Sequence, residues 1–277
     1  MRPHAALLAV ALTGCTSTVL TEPIVHVSPY LALYRLRGDT KMQSEQPPGS
    51  GVIADNAALP LSSFGHDRTR EDVGVRVDIG DGFGGLRADY YKLDMNTARS
   101  GVLTQDWGDL LTADLASIRA EMDELRLGYV EPLADTTVPW RGEDLQLRLG
   151  AGGVFATRRM KMRGREATNV ATQNLEFSGD QVYAAIRAQA TWQDITLDLD
   201  YAVSPESFVI GGDVEDLSQD FEARVSYQLP HRDIRFFAGW RYSELAASGS
   251  AGGIAGSYQF ENDLVIDGVQ LGVVVTF

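Results

Sequence analysis

The sequence NDLVIDGVQLGVVVTF, residues 262–277, decides the fold of this chain. In its second half the odd positions are apolar, and they hold Val269, Leu271, Val273, Val275 and Phe277. The even positions there carry small or polar residues, apart from Val274. Because the side chains of a β-strand alternate between its two faces, this period of two predicts a strand with a different environment on each face.

The aromatic residue at the end of this stretch adds a second signal. Phe277, preceded by apolar residues at every second position, resembles the signal that the bacterial outer-membrane assembly machinery recognises on β-barrel proteins. The resemblance implies that Phe277 is an assembly signal and that this machinery is a partner. A soluble protein that ends on an edge strand could show the same alternation, so the rest of the chain has to decide.

Composition limits the class of protein. The 277 residues are 44% hydrophobic and 22% charged, which is ordinary for a folded chain. The mean hydropathy is -0.13, and beyond the N-terminus no apolar run is long enough for a spanning helix. Spanning strands are compatible with this composition, because only alternate residues face lipid. The net charge of -14 argues against nucleic acid as a partner, and no cofactor or metal is expected.

The N-terminus has the layout of a secretory signal peptide, with Arg2 before an apolar run at 5–12. Residues 12–15, Leu-Thr-Gly-Cys, resemble the bacterial lipobox, in which the cysteine is acylated and becomes the mature N-terminus. Because Thr16 rather than Asp follows, the resemblance implies transport to the outer membrane. The alternative is an ordinary signal peptide with a chance cysteine. We predict a signal peptide at 1–14, lipidation of Cys15 and a tether over 15–23.

About ten segments show the alternation of transmembrane strands, and most are close to the roughly ten residues that a tilted strand needs to cross a membrane. In the segment 118–130 the phase changes near Asp123, which predicts a bulge or an extension above the membrane. We predict an all-β, antiparallel up-and-down barrel of about ten strands over residues 24–277, with eight or twelve as alternatives. The predicted strands are 24–36, 72–80, 86–95, 118–130, 145–152, 182–192, 195–203, 221–229, 234–242 and 262–277.

The connections between these segments alternate in length. The short ones are 81–85, 131–144, 193–194 and 230–233, and the long ones are 37–71, 96–117, 161–180, 205–220 and 246–261. This alternation resembles that of bacterial outer-membrane barrels, which have short periplasmic turns and long extracellular loops. The resemblance is to the class as a whole. It implies a bacterial outer-membrane location, a monomer, and contact with outer-membrane lipid and lipopolysaccharide.

Aromatic residues on the apolar face form two groups. Tyr129, Trp192, Tyr227 and Phe277 fall near the short turns, and Tyr201, Phe221, Trp240 and Tyr242 fall near the long connections. Two aromatic belts around an aliphatic band are typical of the two interfaces of a membrane. A soluble up-and-down barrel is the alternative, and it would place the apolar face in its lumen.

Charged residues dominate the face predicted to line the lumen. In a narrow barrel, opposite charges on neighbouring strands pair with one another, which predicts a closed lumen. The function would then be surface interaction or envelope integrity, through the long extracellular loops. The alternative is a narrow solute channel whose arginines favour anions. The predicted lumen charges are Arg76, Asp78, Arg87, Asp89, Glu124, Arg126, Arg148, Arg187, Asp198, Asp200, Glu222, Arg224, Arg235 and Arg241.

A hydrolase at the outer rim is a second alternative. Outer-membrane proteases of the omptin type use carboxylates with an Asp and His pair, and Asp198 and Asp200 share one face of a strand. Lipid A modifying enzymes need a rim His and Ser, for which His66 with Ser62 and Ser63 is the candidate. The basic run Arg158, Arg159, Lys161, Arg163 and Arg165 has two interpretations, a solvated rim or a clamp on lipopolysaccharide phosphates.

Overall fold

The computed structural model describes residues 23–44, 56–66, 68–95, 99–168, 171–205, 209–212, 218–252 and 257–277. Within these ranges the chain forms thirteen β-strands and a 3₁₀ helix at Leu61–Phe64. No helix of the described part is long and apolar enough to cross a membrane. The long strands are β1 Ile24–Ser44, β3 Arg70–Gly80, β4 Gly85–Met95, β6 Leu115–Trp140, β7 Glu143–Glu166, β8 Thr172–Trp192, β9 Ile195–Ser204, β11 Ser218–Gln228, β12 Ile234–Gly252 and β13 Ser257–Thr276; the short ones are β2 Leu59–Pro60, β5 Gly101–Val102 and β10 Val209–Gly212.

Ten of these strands close into one antiparallel ring. The order is β8-β7-β6-β4-β3-β1-β13-β12-β11-β9, and β9 pairs with β8 to complete the circle. The first and last strands meet, with Leu31 opposite Leu271. The short strands β2, β5 and β10 pair with β1, β6 and β8 outside the ring. The predicted antiparallel up-and-down barrel is confirmed, and its ring holds ten strands among the described residues.

The barrel has two different ends. One end, here called the turn end, carries the connections 81–84, 141–142, 193–194 and 229–233, together with the start of β1 and Phe277. At its longest hairpin, Arg141 and Gly142 have φ of 52° and 84°. Two successive positive φ values fit the two-residue turn that matches the twist of antiparallel strands. The opposite end is called the loop end.

The apolar face of the strands points outward. Within the ring, side chains of the predicted apolar face are exposed, and they include Val73, Leu86, Leu127, Leu149, Ile186, Val225, Phe236 and Leu271. A soluble barrel of the lipocalin kind would bury these residues in its lumen. The structure therefore has the face assignment of a barrel surrounded by lipid.

Three predicted connections are wrong in large part, because the strands continue through them. β7 runs on to Glu166 and β8 begins at Thr172, so most of the predicted loop 161–180 is sheet. β12 and β13 cover most of 246–261 in the same way. At the turn end, 131–144 is a paired hairpin that reaches Trp140 opposite Glu143. Two of the five long connections predicted from sequence, 161–180 and 246–261, are therefore shorter than expected.

Of the two alternatives predicted near Asp123, a bulge or an extension of the strand, the bulge is wrong. β6 and β7 stay in register from Ala116 opposite Glu166 down to Pro132 opposite Gly150, and the irregularity falls between Pro132 and Ala134. Even-numbered residues of β6 face inward throughout this stretch. What changes near Asp123 is the chemistry of the inward residues, which are apolar toward the loop end and charged toward the turn end.

An apolar cluster fills the loop end of the lumen, and we call it the upper core. The 3₁₀ helix and the segment around Trp107 enter the barrel and pack there against inward residues of the strands. The Trp107 ring nitrogen donates a 3.0 Å hydrogen bond to Thr40 Oγ1, which satisfies its only polar group. The upper core includes Leu36, Met42, Leu61, Phe64, Leu93, Met95, Leu103, Trp107, Leu110, Ile118, Met122, Met160, Met162, Leu175, Phe177, Phe260 and Leu264.

Candidate functional site in the barrel lumen

Below the upper core the lumen is crossed by charged side chains, which we call the charged layer. Each lies on the inward face of its strand, because inward residues recur at every second position. The layer contains all fourteen predicted lumen charges, together with Arg158 and Asp220. Its members are Arg76, Asp78, Arg87, Asp89, Glu124, Arg126, Arg148, Arg158, Arg187, Asp198, Asp200, Asp220, Glu222, Arg224, Arg235 and Arg241.

Arg76 is the centre of one cluster of the charged layer. Its guanidinium donates to Asp89 at 2.7 Å and to both oxygens of Glu222 at 2.6 Å. The Tyr30 hydroxyl donates to the other oxygen of Asp89 at 2.8 Å. Because Asp89 lies on the neighbouring strand and Glu222 on a distant part of the ring, Arg76 ties one wall of the barrel to another.

A second cluster is built around Glu124, whose side chain is fully buried. Glu124 accepts from Arg158 at 2.6 Å and from Arg241 at 2.5 Å. Asp220 accepts from Arg241 at 2.9 Å and forms an ion pair with Arg126 at 2.8 Å. The Arg241 guanidinium also lies 4.8 Å from the centre of the Tyr91 ring, below the upper core.

The third cluster lies nearer the turn end. Asp200 accepts from Arg187 at 2.6 Å and from Arg87 at 3.0 Å, and Arg87 also donates to Asp78 at 2.5 Å. Arg187 donates a further bond of 2.6 Å to the carbonyl of Phe83, in the turn between β3 and β4. This turn is thereby held inside the mouth of the barrel.

Arginines at the turn end are paired less completely. Arg148 contacts Asp81 and Asp135. Arg224 reaches Asp198 at 3.4 Å. Arg235 approaches the ring of His26 at 3.2 Å, and no described carboxylate lies within ion-pair distance of it.

The energy of the charged layer depends on complete pairing. Moving two charges out of water costs several kcal/mol per ion, and only close, well-bonded pairs recover this. Arg76 and its two carboxylates are each about 3–5% exposed, so solvent does not screen them. Removing one partner leaves a buried charge uncompensated, which costs roughly 3–5 kcal/mol.

The free space in the charged layer is small. A central cavity beside Arg76 has a volume of ≈ 40 Å³, and a second cavity nearer the turn end has ≈ 20 Å³. Since one water needs roughly 10–15 Å³, each has room for a few water molecules at most. A wider space of ≈ 310 Å³ opens at the turn end beside Asp81 and Arg148, and we call it the vestibule.

Arg158 and Asp220 belong to the charged layer but were not predicted to line the lumen. Arg158 was predicted to belong to the basic run and Asp220 to a loop. Each lies an even number of positions from a predicted lumen residue of its own strand, Arg148 on β7 or Glu222 on β11, and therefore on the same face. Extending the alternation upward along each strand would have found them.

The remaining basic residues of that run lie on the outer surface. Arg159, Lys161, Arg163 and Arg165 are exposed on the outward face of β7, beside the upper core. Lys161 forms an exposed ion pair with Glu176 at 3.4 Å. We call these four residues the outer basic row.

The residues of the hydrolase hypothesis are placed apart. His66 is fully buried, and its Nε2 lies 2.8 Å from the carbonyl oxygen of Ile118, whereas Ser62 and Ser63 are exposed. Asp198 and Asp200 are bound to arginines of the charged layer. Among the described residues no group of His, Cys, Asp and Glu is arranged to hold a metal ion.

Of the two predicted terminal signals, Phe277 lies within the described residues and Cys15 does not. Cys15 and the signal peptide lie outside the described residues. Phe277 is 77% exposed at the turn end, and its backbone exchanges hydrogen bonds with Val25 of β1. The last residue therefore borders the seam where the first and last strands meet.

No protein-family model and no curated protein matches this sequence. Among solved structures, the chain is similar to the toluene transporter TodX of Pseudomonas putida, with 8% identity, a TM-score of 0.29 and coverage of 97% of this chain and 93% of that chain. It is also similar to a FadL homologue of Pseudomonas aeruginosa, with 8% identity, a TM-score of 0.29 and coverage of 93% of this chain and 90% of that chain. The similarity to OmpT of Vibrio cholerae has 9% identity, a TM-score of 0.22 and coverage of 94% of this chain and 100% of that chain. Identities and TM-scores this low do not support the transfer of a function to this chain.

Proposed function

We propose that this chain is a monomeric integral protein of the bacterial outer membrane. Its outward apolar band would contact lipid, the turn end would face the periplasm, and the loop end would face the exterior. The exposed band of aliphatic side chains supports this orientation in lipid. The closed ring supports a monomer, because it leaves no free strand edge within the barrel wall.

We further propose that the lumen is closed and that the protein acts in surface interaction or envelope integrity through its loop end. The observation that carries this proposal is the filling of the lumen by two successive layers. The upper core occupies the loop end, and among the described residues the charged layer below it holds cavities of ≈ 40 and ≈ 20 Å³. A solute would have to displace both layers.

The anion channel is the less favoured alternative. An arginine wall favours anions only if its charge is available to the solute. Most arginines of the charged layer instead hold carboxylates at hydrogen-bond distance, as Arg76 and Arg158 do. The rim hydrolase has weaker support, because its candidate histidine is buried in the upper core.

Conductance in a planar bilayer tests the closed lumen. The refolded mature protein is first checked for barrel formation by its heat-dependent gel shift, and a known porin serves as the positive control. We expect no unitary current steps from the folded barrel. Discrete steps would overturn the closed-lumen proposal and make the lumen arginines the candidates for ion selectivity.

The outer basic row is the proposed contact with lipopolysaccharide. Cationic side chains on the outward face, just beyond the apolar band, are placed to meet lipid phosphates of the outer leaflet. The test is the lipopolysaccharide content of the purified barrel after Arg159, Arg163 and Arg165 are changed to Gln. Arg141→Gln, an exposed change at the turn end, is the control. Equal content in both variants would exclude this contact.

The two terminal signals have separate tests. Cys15→Ala is expected to abolish labelling by a radioactive fatty acid if the cysteine is acylated. Phe277→Ala is expected to lower the amount of assembled barrel in the outer membrane while leaving refolding in detergent unchanged. Because the two readouts differ, loss of anchoring and loss of assembly can be distinguished.

A further inference from the structure

The cavity of ≈ 20 Å³ near the turn end is here called the turn-end cavity. Several hydrogen-bond donors in its lining have no acceptor. His26 Nε2, Ser28 Oγ, and the Nε atoms of Arg224 and Arg235 are buried and have no hydrogen-bond partner, and the same holds for Arg224 Nη1. The side chain of Arg224 is 10% exposed. In native proteins buried polar groups are nearly always paired, so a cluster of unpaired donors indicates a ligand that accepts hydrogen bonds.

His26 adds a donor rather than an acceptor to this cavity. Its Nδ1 lies 3.2 Å from Nη2 of Arg235 and 2.9 Å from Oγ1 of Thr276. A guanidinium can only donate and a hydroxyl can donate as well, so both contacts are satisfied when Nδ1 accepts. Nδ1 is therefore the acceptor nitrogen, which leaves the proton of a neutral imidazole on Nε2. Nε2 is the atom without a partner at the cavity.

The carboxylates around the turn-end cavity are already bound. Asp78 accepts from Arg87 at 2.5 Å, and Asp198 accepts from Gln189 at 2.8 Å and from Arg224 at 3.4 Å. Arg235 has no described carboxylate partner. The Arg235 side chain is partly buried and its Nε is fully buried. A partly buried cation without a close counter-ion is unfavourable, so an anion in the cavity would stabilise this end of the charged layer.

We propose that the turn-end cavity binds one small monovalent anion. Its volume exceeds the roughly 10–15 Å³ that one water needs and suits a single halide ion or the carboxylate group of a larger ligand. Access comes from the vestibule, since both spaces are lined by His26, Gln189 and Arg235. The upper core closes the other direction, so this is a binding site and not part of a conduction path.

Chloride NMR on the refolded barrel in non-ionic detergent tests this site. We expect the wild-type barrel to broaden the chloride signal beyond its width in the same detergent solution without protein. The variant Arg235→Gln loses one charge-assisted hydrogen bond, which predicts an affinity about tenfold lower. The control Arg141→Gln removes an exposed arginine outside the lumen and is expected to retain the broadening.

Competition distinguishes the two sources of the anion. Bromide is expected to suppress the broadening in either case. Suppression by acetate as well would identify a carboxylate ligand, and its absence would identify a free halide. No excess broadening in the wild type, or equal broadening in the wild type and Arg235→Gln, would overturn the proposal.

A second variant and a second method keep the proposal testable if Arg235→Gln does not fold. The heat-dependent gel shift reports whether Arg235→Gln forms a barrel. If it does not, His26→Phe removes the Nε2 donor without changing a guanidinium and is expected to weaken the broadening. Crystals soaked in bromide are expected to give an anomalous peak between His26 and Arg224, and a peak elsewhere only would contradict the assignment.

Discussion

The upper core and the charged layer lie inside the same barrel and on the same faces of the same strands, yet they have opposite chemistry. On β6 the inward residues change from Ile118 and Met122 to Glu124 and Arg126 within a few positions. The outward residues change in the other direction, from Arg119 to Leu125 and Leu127. The difference shows that the medium outside the barrel wall, lipid or water, determines whether the inward residues are charged or apolar.

Where the outer face meets lipid, it must be apolar, and the inner face is free to carry charges that pair with one another. Where the strands extend beyond the lipid, the outer face meets water and the hydrophobic effect packs apolar residues inward, as in a soluble protein. The two regions are therefore stabilised by different forces. Four substitutions test this contrast, and each is measured as the free energy of urea-induced unfolding of the refolded barrel in detergent.

The largest effect is expected in the charged layer. Arg76→Ala leaves Asp89 and Glu222 buried without their cation, and we expect a loss of roughly 3–5 kcal/mol. The matched triple variant Arg76→Met, Asp89→Asn, Glu222→Gln removes the charges together and is expected to lose less. A triple variant that loses more stability than Arg76→Ala would contradict the uncompensated-charge explanation.

The outer face at the same level gives the next largest effect. Leu271→Lys places a charge in the apolar band and is expected to cost about 2–4 kcal/mol. Gln259→Lys is the control, because it lies on the outward face of the same strand beside the upper core and should change stability by about 0.5 kcal/mol or less. Similar costs at both positions would mean that lipid does not distinguish the two regions.

In the upper core, a lost hydrogen bond is expected to have a smaller effect. Thr40→Val keeps the shape of the side chain but leaves the Trp107 ring nitrogen without its acceptor, at a cost of about 1–3 kcal/mol. Thr40→Ser retains the hydroxyl and should preserve most of the stability. If Thr40→Val is as stable as the wild type, Trp107 must have another acceptor.

The smallest effect is expected for an ion pair outside the wall. Lys161 and Glu176 are more than half exposed and 3.4 Å apart, so water and salt screen their attraction. Lys161→Met is expected to cost about 0–1 kcal/mol. A loss comparable to that of Arg76→Ala would show that burial is not what separates the two kinds of pair.

The sequence predicted the part of the fold that alternation controls within the membrane. For Leu271 and Gln270 a period of two is enough to place one outward and the other inward. The same rule placed Arg76, Glu222 and the other lumen charges. The rule was not applied to Met160 and Lys161, because the predicted strand ended at 152 and 161–180 was predicted to be a loop.

By itself, the sequence predicted about ten strands, their antiparallel order and the face of most residues in the spanning region, because these depend on local periodicity and on the length of connections. The tertiary structure decided which charges meet. Arg76 and Glu222 are 146 residues apart and come within 2.6 Å only when the ring closes with its particular stagger. It also decided that the loop end is filled by apolar residues and that unpaired donors converge at His26 and Arg235, since both depend on which walls face each other across the lumen.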